Sequence, residues 1–171
     1  MFDVIASIFQ KGLLTEKIPV SRDPSPGIEA LHENIRALLG RALCIRHVDA
    51  GSCNGCELEI VALNNPYYNL EGEGIKFVAS PRHADLLLVT GPVSVNMEEA
   101  LRRTYDAAPD PKLVVAVGDC GACGGVFGRS YASRGGVASV IPVNHTITGC
   151  PPTPASILGG ILQTVRSARE Q

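Results

Sequence analysis

Cys53 and Cys56 stand three positions apart in GSCNGCELEI, with Gly55 between them and a helix-like run behind, in a chain of 171 residues that holds six cysteines. A pair at this spacing clamps a metal, shuttles a disulfide or fills space. Two further cysteines sit in glycine- and proline-rich settings far along the chain, Cys120 in GDCGACGG and Cys150 in TGCPPTP. Four thiolates suit zinc or an iron–sulfur cluster. Structural zinc draws on two local cysteine pairs, each bridging a knuckle. Here one local pair is joined by two distant single cysteines, and a cubane with irons at four corners tolerates such dispersed ligands better. A thioredoxin-like dithiol would leave Cys120 and Cys150 without a role. The pattern therefore points to one [4Fe–4S] cluster on Cys53, Cys56, Cys120 and Cys150, with zinc as the lesser alternative. Cys123 competes with Cys120 for the third position, and Cys120 is preferred because it directly follows a strand. Cys44 lies within a strand and reads as a small buried hydrophobe.

The elements that must position these residues alternate. ALCIRHVDA, IKFVA, DLLLVTGP, KLVVAVGDC and ASVIPV read as strands. CELEIVALNN, NMEEALRRTYDAA and TPASILGGILQTVRSAR read as helices, the last with Pro154 in its first turn. IEALHENIRALLG places Ile28, Leu31, Ile35, Leu38 and Leu39 on one helical face, stopped by Gly40. Two of the strands are apolar throughout, the mark of a parallel sheet covered on both faces. The expected fold is a doubly wound, flavodoxin-like α/β sandwich with a mostly parallel sheet. In such sheets ligands bind beyond the carboxyl ends of the strands, and each of the four ligand cysteines follows a strand. Glycines crowd the same loops, where they let backbone approach a ligand closely. Backbone N–H groups aimed at cluster sulfurs are one lever on reduction potential.

Bulk properties narrow the function. The net charge of −2 comes without a basic stripe, which argues against a nucleic-acid partner. No apolar run approaches the roughly 18 residues of a membrane span. The start MFDVIASIFQKGLL carries Asp3 and lacks a basic opening and a small-residue cleavage site, so it reads poorly as a signal peptide. A cytoplasmic protein is expected, where thiols stay reduced and clustered cysteines bind metal or do redox work. Residues 1–26 read as an amphipathic docking helix, with Phe2, Ile5, Ile8 and Phe9 at helical spacing, followed by a proline-punctuated linker; residues 27–171 read as the cluster domain.

DAGSCNGCELEI, SPRHADLLLVTGPV, VVAVGDCGACGG and GCPPTPASILGGI together resemble the small-subunit family shared by [NiFe]-hydrogenases and the 20 kDa iron–sulfur subunit of complex I. The Cys-x-Gly-Cys spacing is similar to the hydrogenase branch, whereas complex I members usually carry adjacent cysteines there. The wording is most similar to the membrane-bound, energy-converting group, formate hydrogenlyase-like and Ech-like. The resemblance implies that Cys53, Cys56, Cys120 and Cys150 ligate the proximal [4Fe–4S] cluster. It further implies an electron-transfer subunit exchanging electrons with a Ni–Fe site held by a large subunit. The implied partners are that large subunit, a ferredoxin-like polyferredoxin subunit and integral membrane subunits. The implied place is the cytoplasmic face of the cell membrane, as a peripheral part of the complex. The alternatives are a complex I-like quinone reductase subunit and a nickel-free sulfur-reducing relative. Glu57 resembles a family glutamate near the active-site subunit that assists proton movement; a helix-start acid favoured by the helix dipole is the plain alternative. Arg82 and His83 face the cluster or a partner, with a hydrogen-bonded structural histidine as the plain alternative for His83, and Glu59 reads as an ordinary helix acid.

Overall fold

The two most apolar strand segments, with Thr90 at the end of one as their single polar residue, both take interior places in the sheet. The computed structural model describes residues 40–72 and 74–169. The expected docking helix of residues 1–14, the linker after it and the helix expected over residues 28–39 lie outside the described residues. Five strands form the sheet: β1 (Leu43–Asp49), β2 (Ile75–Phe77), β3 (Leu86–Thr90), β4 (Leu113–Val117) and β5 (His145–Ile147). Their spatial order is β2-β1-β3-β4-β5, and every pairing is parallel. This is the doubly wound, flavodoxin-like order expected from the sequence.

The helices are α1 (Gly55–Ala62), α2 (Val95–Ala107), α3 (Gly118–Cys123) and α4 (Pro154–Arg169). Side chains alternate across a strand, so β3 and β4 feed two cores. Leu86, Leu88, Val115 and Val117 meet Ile60 and Leu63 from the α1 segment and Ile157, Ile161 and Val165 from α4. Leu87, Val89, Val114 and Ala116 meet Leu101 of α2, together with Val137 and Ile141. Both faces are buried, which is why these strands lack polar alternation.

One expected strand is absent. In ASVIPV only Ala138 and Ser139 are in regular structure, at the end of a 3-10 turn (Val137–Ser139), and the edge strand is His145–Ile147 instead. Pro142 offers no N–H for a ladder. Val137 and Ile141 go into the second core rather than onto a sheet edge. Asn144 then closes the gap beside β4: its amide donates to the Val114 carbonyl at 2.9 Å, and its Oδ1 accepts from the Val114 amide at 2.8 Å.

Register brings the loops together. Asp49 lies opposite Thr90, Thr90 opposite Val117, and Val117 opposite Ile147. Four strands therefore end at one level, and the segments leaving β1, β4 and β5 emerge side by side.

Candidate metal centre

All four expected ligands lie on those three segments. After β1 the chain is turned by Asp49, whose Oδ1 accepts from the amides of Gly51 and Ser52, both at 2.8 Å. Ser52 Oγ accepts from the Asn54 amide at 3.1 Å. Asn54 takes a left-handed conformation at φ 71, which asparagine tolerates better than most residues, and α1 starts at the next residue. Cys53 is left exposed before the helix, and Cys56 enters its first turn facing inward, buried. The opposite face of α1 shows Leu58 and Val61 to solvent, 62% and 65% exposed.

β4 runs straight into α3, so Cys120 stands in a short helix immediately after the strand rather than in a loop. Cys150 is exposed in the turn between β5 and α4. Thr153 caps α4, its Oγ1 accepting from the Ser156 amide at 3.2 Å.

The three segments converge on a shared space. A methyl group at Gly118 (φ 80) would lie 2.7 Å from Cys56 Sγ, so only glycine lets the β4 end approach that sulfur. A methyl group at Gly125 (φ 53) would likewise lie 2.8 Å from Cys120 Sγ. Cys53 Sγ approaches the Gly55 position opposite the Pro151 ring, beside Cys150. The thiols also act on one another. Burial pushes the Cys56 thiol up to about 11, helped by the charges of Glu57, Cys53, Cys120 and Cys150. Cys120 is raised by burial first, then by Cys150 and Cys53, Asp119 and Cys123. A metal held here would displace protons, because ligating thiols must be deprotonated. The donor set is soft and all-sulfur, and two glycines leave room at its sulfurs; it fits a thiolate-held iron–sulfur cluster. Among the described residues, no three His, Cys, Asp or Glu side chains close on the position of a single metal ion.

The two remaining cysteines stand apart in different ways. Cys123 Sγ donates to the Asp119 carbonyl at 3.3 Å, on its own helix, and is exposed. Cys44 is half-buried near the start of β1, 3.8 Å from the Ala42 carbonyl, away from the strand ends. Arg82 and His83 are exposed in the 3-10 turn that leads to the start of β3; the structure does not bring them to the cysteines.

Glu57 lies between the Cys56 thiol, which its charge raises, and His47. Both of its carboxylate oxygens are buried without a hydrogen-bond partner. The nearest cation candidate is His47, with Nε2 3.7 Å from Oε1, beyond hydrogen-bond reach. Burial lowers His47 below its ordinary value, with the charges of Glu57 and Asp49 opposing. His47 Nε2 instead lies 3.0 Å from Thr90 Oγ1. An open cavity of about 350 Å³ adjoins it, lined by Arg46, His47, Ile60, Val61, Asn64 and Phe77 among others. Glu59 is half-buried on α1 with no described hydrogen bond.

Residues 53–164 match the family model of the NADH ubiquinone oxidoreductase 20 Kd subunit. The chain belongs to that family. It is 46% identical over 124 residues to the probable membrane-bound hydrogenase subunit mbhJ of Pyrococcus furiosus, covering 72% of this chain and 74% of that one. It is 43% identical over 143 residues to formate hydrogenlyase subunit 7 of Escherichia coli, covering 84% of this chain and 56% of the relative. It is 46% identical over 109 residues to an NADH-quinone oxidoreductase subunit of Herpetosiphon aurantiacus, covering 63% and 60%. Among solved structures it is similar to a chain of the membrane-bound sulfane sulfur reductase, an archaeal respiratory membrane complex, with 33% identity, a TM-score of 0.68 and coverage of 82% and 76%. These relatives are subunits of oxidoreductase complexes. No helix among the described residues is long and apolar enough to cross a membrane.

Sequence reasoning overlooked Asp49, Asp119, His47 and Thr90. The first had a local signal: Asp followed by glycine two positions on, in DAGS, is an Asx-turn pattern. The others bond across the fold and had none.

Proposed function

We propose that this chain is the electron-transfer subunit of a membrane-bound [NiFe]-hydrogenase-type complex, with one [4Fe–4S] cluster on Cys53, Cys56, Cys120 and Cys150. The observation that carries the reading is the meeting, at one end of the sheet, of cysteines from three separate segments of a chain in this family. A cluster held there takes up and passes on one electron at a time, while bond-making chemistry stays on a partner chain. The protein's own contribution is position and environment. α1 buries Cys56, and Gly118 and Gly125 admit the sulfurs closely. The Cys-x-Gly-Cys spacing and the hydrogenase relatives support the hydrogenase branch. A large subunit with the Ni–Fe site, a polyferredoxin subunit and membrane subunits complete the proposed assembly at the cytoplasmic face. Residues 1–14 are proposed as a docking arm, and deleting them should release the chain from the membrane fraction while leaving its iron in place. Glu57 is proposed to relay protons: it is a buried carboxylate without a fixed partner, one residue from a ligand.

The test is anaerobic purification of the complex. About four irons and four sulfides per chain, together with hydrogen turnover, support the reading; a colourless zinc protein ends it. The similarity to the sulfane sulfur reductase chain favours one second reading, a nickel-free sulfur-reducing complex. Polysulfide reduction without hydrogen turnover by the same preparation decides for it, and quinone reduction decides for the complex I-like alternative.

A further inference from the structure

Cys120 and Cys150 are thirty positions apart, on segments joined to different strands, yet a cluster needs them at a fixed separation. One residue links the two segments directly. The Asp119 amide donates to the Gly149 carbonyl at 2.9 Å, and Asp119 Oδ1 accepts from the Gly149 amide at 2.8 Å. The bonds are reciprocal, so they fix distance and orientation together. Each partner directly precedes a ligand cysteine. Among the described residues, Asp119 is the sole side chain hydrogen bonded to the turn over residues 148–152. α3 has no side-chain N-cap of its own, so its start is held by this bond and by continuity with β4. The Gly149 carbonyl also lies 3.3 Å from the Cβ position of Gly118, whose nearest neighbour is Cys56 Sγ. The clamp therefore sits where three of the four ligands meet.

We propose that Asp119 is a positioning residue that sets the spacing of Cys120 and Cys150 and, as a carboxylate beside Cys120, holds the reduction potential of the bound cluster down. This rests on the cluster reading above. The charge and the acceptor separate by substitution. Asp119→Asn keeps an acceptor oxygen and loses the charge; Asp119→Ala loses both.

The experiment uses the full chain purified anaerobically. Three measurements are made: iron loss to a ferrous chelator, the EPR spectrum and midpoint potential of the reduced cluster, and hydrogen exchange at the Gly149 amide. Wild type should hold about four irons. Asp119→Asn should lose iron within about twofold of the wild-type rate, with the potential moved upward, because a neighbouring negative charge disfavours the added electron. Asp119→Ala should lose iron about tenfold faster or more, the effect of removing a hydrogen bond to a charged group, with altered g-values. Equal chelator rates for wild type and Asp119→Ala overturn the proposal, and so does an Asn variant as labile as the Ala variant. Should Asp119→Ala not fold, exchange decides: a Gly149 amide protected in wild type and in Asp119→Asn supports the clamp, and one exchanging at the open-chain rate overturns it. Exchange is readable with or without iron. A wild-type chain that lacks iron but protects Gly149 refutes the cluster reading and leaves the clamp standing.

Discussion

The two halves of the proposed ligand set are built differently. Cys53 and Cys56 are positioned by their own stretch of chain: Asp49 folds the turn, Ser52 and Asn54 extend it, and α1 begins within six residues of the β1 end. Cys120 and Cys150 are positioned by long-range structure. Strand register puts their segments at one level, and the Asp119–Gly149 bonds link segments thirty residues apart. Local geometry survives small changes elsewhere in the fold, whereas the distant pair depends on the whole sheet. The local half should therefore tolerate perturbation of the sheet, and the distant half should not.

The largest expected effects come from the ligands. Serine in place of Cys53, Cys56, Cys120 or Cys150 should abolish most bound iron, and Cys123→Ser should leave it near wild type, because Cys123 spends its thiol on the Asp119 carbonyl. Iron and sulfide analysis reads this directly. Bleaching by Cys123→Ser but not by Cys120→Ser would move the third ligand.

Next comes the seam between the halves. Gly118→Ala forces a side chain into a left-handed position and against Cys56 Sγ. The backbone strain alone is about 1–2 kcal/mol. Denaturant unfolding of the chain should show at least that loss, with iron content falling in parallel. An unchanged iron content would mean that Cys56 can move aside and that the two halves are less tightly joined than the geometry implies.

A smaller effect is expected within the local half. Burial alone would raise Asp49, but the amides of Ser52 and Gly51 overcome it and hold its carboxyl below the ordinary value. A depressed carboxyl stabilises the fold above its unfolded pKa. That contribution is lost as pH falls from about 3.9 through the folded value. Asp49→Asn should flatten this acid limb in a stability-against-pH curve while costing little iron at neutral pH. A large iron loss instead would show that the local half depends on this one turn.

The smallest effect concerns His47. Its folded pKa is lowered, chiefly by burial. The unfolded chain therefore binds the proton first, and stability falls as pH drops below about 6.5 until the folded value is passed. His47→Gln should remove that slope and leave iron unchanged.

Much of the fold was legible because its signals are local. An apolar run of strand length means a strand buried on both faces, and β3 and β4 bear this out. Four of the five expected strands within the described residues formed. The exception failed for a reason that hydropathy does not show: in ASVIPV the apolar side chains serve a core from a turn, and Pro142 cannot join a ladder. His145–Ile147, with polar residues at two of its three positions, carries little strand signal and is a strand because β4 has an edge to fill.

The candidate site divides in the same way. The sequence by itself determined the thiol inventory, the turn chemistry around Cys53 and Cys56, and the glycines that make close approach possible, because residue type and near neighbours decide these. Only the tertiary structure decided that Cys120 and Cys150 share that space, that Asp119 ties them, and that the Glu57 carboxylate lies buried beside His47. Distance between remote segments is set by strand register and packing, and no single stretch of sequence contains it.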